Sequence, residues 1–151
     1  MLTVSDLLSR KGNKTVSVHP NYTVYQALHV MADYDVGAVL VIENHELLGV
    51  FSERDYARKL VLQGQNEQNT FVGNVMVKDL TVVTPEDKVE ECMQLMTDRH
   101  IRHLPVVKNG KLLGLISIGD VVKGIIDQQR DTINDLESYI AGGYLSRNRV
   151  Q

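Results

Sequence analysis

The sequence predicts an α/β (α+β) fold in which two tandem β-α-β-β-α units form one module that ends in an extended C-terminal helix. Three observations carry this reading. The stretch Leu47-Leu48-Gly49-Val50-Phe51-Ser52-Glu53-Arg54-Asp55 returns as Leu112-Leu113-Gly114-Leu115-Ile116-Ser117-Ile118-Gly119-Asp120. The match runs without a gap from Val18 and Val83 to Asp55 and Asp120, an offset of 65, with 12 identities in 38 positions. Chance at ordinary residue frequencies would supply about two or three. Second, each copy holds a stretch with apolar residues at helical spacing, and third, each holds two apolar runs joined at a two-residue turn.

The elements follow in order within each copy. A short helical lead-in spans Leu2 to Leu8 and again Val72 to Met76. These align at an offset of 68, so the first copy carries three extra residues around Arg10 to Lys14. A small strand is expected near Val16 to Val18 and near Thr81 to Val83, and Pro20 and Pro85 then turn the chain. Val24, Ala27, Leu28 and Met31, matched by Val89, Cys92, Met93 and Met96, give each following helix one apolar face. Strands over Ala38 to Ile42 and Leu47 to Phe51 turn at Asn44-His45; strands over Leu104 to Val107 and Leu112 to Ile116 turn at Asn109-Gly110, the stronger hairpin signal. A second helix starts at Glu53 and at Ile118. The first copy thus covers 2–62, a polar linker 63–70, the second copy 71–126, and a helical extension and tail 127–151. The final helix keeps an apolar stripe through Val121, Val122, Ile125, Ile126, Ile133, Leu136 and Ile140, with a stop expected at Gly142-Gly143. Such a stripe needs a partner surface, either the other copy or a second subunit.

Composition sets the outer bounds. A chain of 151 residues with 43% apolar content can bury one ordinary core. A net charge of -3 gives no broad basic field, which argues against nucleic acid as a partner. The single cysteine, Cys92, lies on an apolar helix face and reads as a small buried hydrophobe, consistent with a reducing compartment. No run approaches the roughly 20 apolar residues of a membrane span, and the first residues lack a signal-peptide pattern. The expectation is a cytoplasmic protein with no membrane partner.

The repeated Gly-x-x-Ser-x-x-Asp carries the chemistry. Ser52 and Ser117 sit at helix N-caps, where free backbone N–H groups can receive an anion. Asp55 and Asp120, three residues on, can accept from two ribose hydroxyls, or they can fold back as capping boxes. Arg54 and Arg58 fall one helical turn apart and form either a phosphate clamp or a solvated face paired with Glu53 and Asp55. The second copy offers only Lys123 nearby, so the first site is expected to prefer the more phosphorylated ligand. His100 and His103 have metal-ligand spacing but no completing Cys or carboxylate, so no metal is required. There is no P-loop, no dinucleotide fingerprint and no arrangement for covalent catalysis.

The lead-in Val72 to Met76, the Leu104-Pro105-Val106-Val107 strand and the closing Gly49 to Asp55 and Gly114 to Asp120 resemble the paired cystathionine beta-synthase (CBS) domains, or Bateman modules, of the small stand-alone type. The resemblance covers about residues 2 to 126. It implies a disc-like body with a pseudo-twofold and two clefts that hold adenine nucleotides, and a homodimer. Carried onto this chain, it assigns a first nucleotide cleft to Val16, Gly37, Ala38, Ser52, Glu53, Arg54, Asp55, Arg58, Arg102 and His103. The second cleft takes Thr81, Val82, His103, Leu104, Pro105, Ser117, Ile118, Gly119 and Asp120. Arg102 and His103 stand where the family often carries a phosphate-reaching base, whereas Gly37 and Ala38 leave room for a base or dinucleotide.

Three functions follow as expectations. The first is a non-enzymatic regulatory module that binds AMP or a related adenine nucleotide (ADP, ATP) and signals to an unknown downstream protein by conformational change. The second is an interaction module with no nucleotide. The third uses NAD, either as a redox-state sensor or as an enzyme, although no proton donor for hydride transfer can be placed.

Overall fold

The computed structural model describes residues 1–150, with side chains through residue 142. Helix α1 (Val4–Lys11) leads to the two-residue strand β1 (Ser17–Val18), helix α2 (Val24–Tyr34) and the hairpin β2 (Ala38–Glu43) and β3 (Glu46–Ser52). A single turn α3 (Glu53–Asp55) widens into a π-helical stretch over Tyr56–Val61. The second copy runs through α4 (Val72–Val75), α5 (Val89–Arg99), the hairpin β4 (His103–Lys108) and β5 (Lys111–Ser117), and α6 (Ile118–Val150).

The local signals act as physical chemistry requires. Thr3 and Thr23 cap α1 and α2, each accepting from the amide three residues on, while Asp6 and Gln26 reach back to the cap N–H. Both hairpins turn on residues with positive φ: Asn44 at 52° and His45 at 63°, then Asn109 at 52° and Gly110 at 75°. Two left-handed residues in succession match the twist of the flanking strands. Asp35 and His100, equivalent positions in the two copies, close α2 and α5 in the left-handed region.

Strand β1 pairs parallel with β2, and β2 pairs antiparallel with β3 from Ala38↔Ser52 to Glu43↔Glu46. In the second copy β4 pairs with β5 from His103↔Ser117 to Lys108↔Lys111. The strand expected over Thr81 to Val83 is reduced to one parallel bridge, Val83↔Val106. Each hairpin is apolar on both faces. Val39, Val41 and Phe51 pack on α2; Leu104, Val106 and Ile116 pack on α5; Ala38, Leu40 and Val50 meet Leu112 and Leu115 between the two copies.

The lead-in segments are exchanged between the copies. Leu2, Val4, Leu7 and Leu8 belong to the core of the second copy, and Val4 and Ser5 donate to the carbonyls of Asp87 and Pro85. Reciprocally, Val72, Val75 and Met76 pack into the first core, and Val77 pairs with Val50 in both directions. Sequence order assigned each lead-in to the copy it precedes, because order along the chain carries no information about which hairpin a short helix covers. Gly49 and Gly114 make the exchange fit. A Cβ on Gly49 would lie 2.7 Å from both Met76 Sδ and the Val77 carbonyl, and one on Gly114 would lie 2.8 Å from Leu8 Cδ2.

The stop expected at Gly142-Gly143 is not there, because α6 continues to Val150. Glycine costs a helix about 1 kcal/mol but terminates it only when the backbone turns left-handed, and no proline follows to force that turn. No helix among the described residues is long and apolar enough to cross a membrane.

Candidate functional site

Two cavities open where the hairpins meet the starts of α3 and α6. The larger, of about 580 Å³, lies beside Ser52, Glu53, Arg54 and Asp55. Arg58 and Lys59 flank it; the opposite side comes from Val77 to Thr81, from the turn His100 to His103, and from Pro105. The smaller, of about 260 Å³, sits at the equivalent place beside Ser117 and Asp120. Thr15, Val16 and Asp35 to Ala38 line it from the first copy, together with Lys11 and Lys14. Gly37 and His103 line both.

This geometry corrects the division of residues between the clefts. Val16 and Ala38, assigned to the first cleft, line the second with Ser117 and Asp120. Thr81 and Pro105, assigned to the second, line the first with Ser52 and Asp55. The hairpins pack face to face about the pseudo-twofold, so each helix start looks across at the other copy's strand. Leu104 lines neither cavity because it is fully buried in the second core. Ile118 packs against that same core, Gly119 is exposed at the start of α6, and Val82 is exposed outside the cavity lining.

Both aspartates fold back. The Ser52 N–H and hydroxyl donate to Asp55 Oδ2 at 3.0 and 2.9 Å, and the Asp55 N–H donates to Ser52 Oγ at 3.2 Å. The Ser117 N–H donates to Asp120 Oδ2 at 2.8 Å, and the Asp120 N–H returns to Ser117 Oγ at 3.1 Å. The use of Asp is therefore no ligand signature. Thr3 and Asp6 build the same box at the exposed start of α1, beside neither cavity. The amides offered to a phosphate are also largely engaged: Glu53 N–H donates to the Gly37 carbonyl at 3.0 Å and Ile118 N–H to the Arg102 carbonyl at 2.9 Å. Buried backbone donors must find partners, and here the neighbouring strand supplies them.

Space and charge nevertheless remain beside Asp55. Among the described residues its second oxygen, Oδ1, has only Lys59 Nζ at 3.6 Å, and Lys59 also donates to the Val75 carbonyl at 2.9 Å. Arg54, Arg58 and Arg102 all line the cavity, and none takes part in an ion pair among the described residues. With Lys59 they oppose the three carboxylates Glu53, Asp55 and Asp79, which leaves one net positive charge. The lining also holds the apolar Val50, Val77, Leu80, Ile101 and Pro105 and the polar Thr81, His100 and His103.

The smaller cavity is held differently. Lys11 Nζ donates to both Asp120 Oδ2 and the Leu115 carbonyl at 2.6 Å. Burial alone would raise the Asp120 pKa, but the Lys11 and Ser117 hydrogen bonds outweigh it and hold the carboxyl below its ordinary value. His103, between the cavities, is pushed below its ordinary pKa mainly by burial and then by Lys11. The sequence reading missed Lys11 and Lys14. Their signal was the three-residue insertion of the first copy, which places them over the second copy's cleft once α1 crosses. It also missed Val77, Asp79, Leu80 and Ile101, which follow the second lead-in or α5 and reach the first cleft only through the exchange. Among the described residues no cluster of three metal-ligating side chains forms, so His100 and His103 stand without a completing set.

Comparison with known proteins agrees with this architecture. The CBS domain profile matches residues 4–62 and 72–127. The chain is 41% identical over 151 residues to the mitochondrial CBS domain-containing protein CBSX3 of Arabidopsis thaliana, covering 94% of this chain and 73% of that one. A solved protein with CBS domains from Burkholderia ambifaria superposes with a TM-score of 0.81 at 43% identity, covering 84% of this chain and 96% of that one. In fold alone, at 16% identity and a TM-score of 0.75, the chain is similar to a CBS domain pair solved with 5′-methylthioadenosine and S-adenosyl-L-methionine; 85% of this chain and 98% of that one are covered.

Proposed function

The chain belongs to the CBS domain family as a tandem pair, and from that premise we propose that it is a non-enzymatic regulatory module that binds an adenine nucleotide, AMP foremost, in the larger cleft. The carrying observation is that Arg54, Arg58 and Arg102, none of them in an ion pair among the described residues, line one cavity of about 580 Å³ together with the apolar Val50, Val77, Leu80, Ile101 and Pro105. Guanidinium groups match phosphate oxygens in geometry and charge, and an apolar slot suits a purine. Asp55 Oδ1 is the oxygen left for a ribose hydroxyl, since Oδ2 is committed to Ser52. The ligands of the CBS pair similar in fold, 5′-methylthioadenosine and S-adenosyl-L-methionine, share the purine and ribose but carry no phosphate, so they support the slot and the Asp55 contact and not the arginines.

The smaller cleft takes less phosphate or stays empty, because Lys11 already occupies Asp120 and the Leu115 carbonyl. The adenosine half of NAD would use the same larger cleft. A nucleotide signals only by its differential affinity for two arrangements of the copies, which a partner protein then reads. Calorimetric titration of AMP, ADP, ATP and NAD into the wild type and an Arg54→Ala/Arg58→Ala double variant tests the proposal. Loss of two charge-assisted contacts predicts AMP affinity lower by tenfold or more. Equal affinities would remove the clamp, and no binding of any adenosine compound would favour the interaction module without nucleotide.

A further inference from the structure

We infer that the distal half of α6 is one strand of a parallel two-stranded coiled coil with a second copy of this chain. Every residue from 129 to 142 is exposed, so this part of the helix projects from the body with no intramolecular cover. A projecting helix is marginal in water unless an apolar face is buried. Such a face exists and has heptad register. Ile126, Ile133 and Ile140 fall at a positions, with Val122, Gln129 and Leu136 at d. Ile133, Leu136 and Ile140 are 53%, 57% and 67% exposed. Ile at a with Leu at d favours two parallel strands, and here Ile holds all three a positions and Leu136 one of the three d positions.

The area agrees with a second copy as the occupant. With Val122, Ile126 and the 80%-exposed Tyr139, the stripe leaves roughly 700 Å² of side-chain surface per copy, near the ~800 Å² per partner of a standard interface. Orientation is decided by two groups. In an antiparallel pair with Ile133 opposite the partner's Leu136, Arg130 and Glu137 would meet across the seam, but exposed ion pairs contribute little. That arrangement also sets Gln129 against the partner's Ile140, leaving an amide unpaired in an apolar layer, which is the larger cost. The parallel register instead places each Gln129 beside its own counterpart, where two amides can bond to each other. It also joins Val122 and Ile126 to the seam. This inference is independent of what the clefts hold.

Sedimentation equilibrium of the full chain is expected to show a dimer, and Ile133→Asp and Leu136→Asp to weaken it at least a hundredfold while thermal unfolding of the body stays unchanged. Ile133→Cys should form an intermolecular disulfide under mild oxidation, because a residues face each other in the parallel register. The native thiol does not compete: Cys92 is buried, and burial pushes its pKa up to about 11. A monomeric wild type at high micromolar concentration, or a dimer indifferent to both Asp substitutions, overturns the interface. A dimer sensitive to both in which Ile133→Cys does not cross-link to itself overturns the parallel register.

Discussion

Asp55 and Asp120 show how far a residue's identity can be read without its surroundings. Ser-x-x-Asp is compatible with a ribose acceptor and with a capping box, and sequence order cannot decide between them. The structure displays the box at both sites and again at Thr3 and Asp6. Asp55, the N3 residue, accepts from the Ser52 N–H and hydroxyl, so Asp55→Ala is expected to lower stability by about 0.5–1.5 kcal/mol in urea unfolding whether or not nucleotide binds. Asp120 adds a pH dependence. Its folded pKa lies below the ordinary value of 3.8, so its contribution is present above that value and disappears as pH falls through the folded one. Lys11→Met should therefore flatten the acid limb of the stability–pH profile; an unchanged limb would mean that the Lys11 contact contributes nothing. His45 offers the opposite change. It holds φ at 63° where its counterpart is Gly110, so His45→Gly is expected to raise stability by about 0.5–1 kcal/mol in thermal unfolding.

At the scale of elements, periodicity located the helices and hairpins because one face of each must be apolar to be buried. The strands over Ala38 to Ile42 and Leu104 to Val107 lie inside the observed β2 and β4, and the turns fall at Asn44-His45 and Asn109-Gly110 as expected. The sequence could not show the π-helical widening over Tyr56–Val61, since over a single turn apolar spacing does not distinguish about 3.6 residues per turn from a wider turn. Nor could it show why glycine stands at 49 and 114. Both positions sit in strands, where glycine is ordinarily a loss, and only the crossing lead-ins explain them. Gly49→Ala brings a Cβ to 2.7 Å from the Val77 carbonyl, backbone that cannot rotate away, and is expected to destabilise by about 1–3 kcal/mol. Gly142→Ala meets nothing within 4 Å and should be neutral or slightly stabilising.

For the molecule as a whole, exchange of the lead-ins ties the two copies into one cooperative unit. Four buried side chains, Leu2, Val4, Leu7 and Leu8, come from the first lead-in but serve the second core. Each is worth about 1.5–3 kcal/mol, so deleting residues 1–11 uncovers the second core, removes most of a small domain's net stability and should abolish folding of both copies together. The same crossing composes each cleft from both copies, which is how a ligand in the larger cleft could bear on their relative placement. That the larger cleft is the nucleotide site is tested most directly by amide chemical-shift mapping on addition of AMP. AMP in the larger cleft should shift Gly37, Ser52 to Asp55 and His100 to His103 and leave Lys11 and Asp120 little affected; shifts confined to residues around Ser117 and Asp120, or none at saturating AMP, would place the nucleotide elsewhere or nowhere.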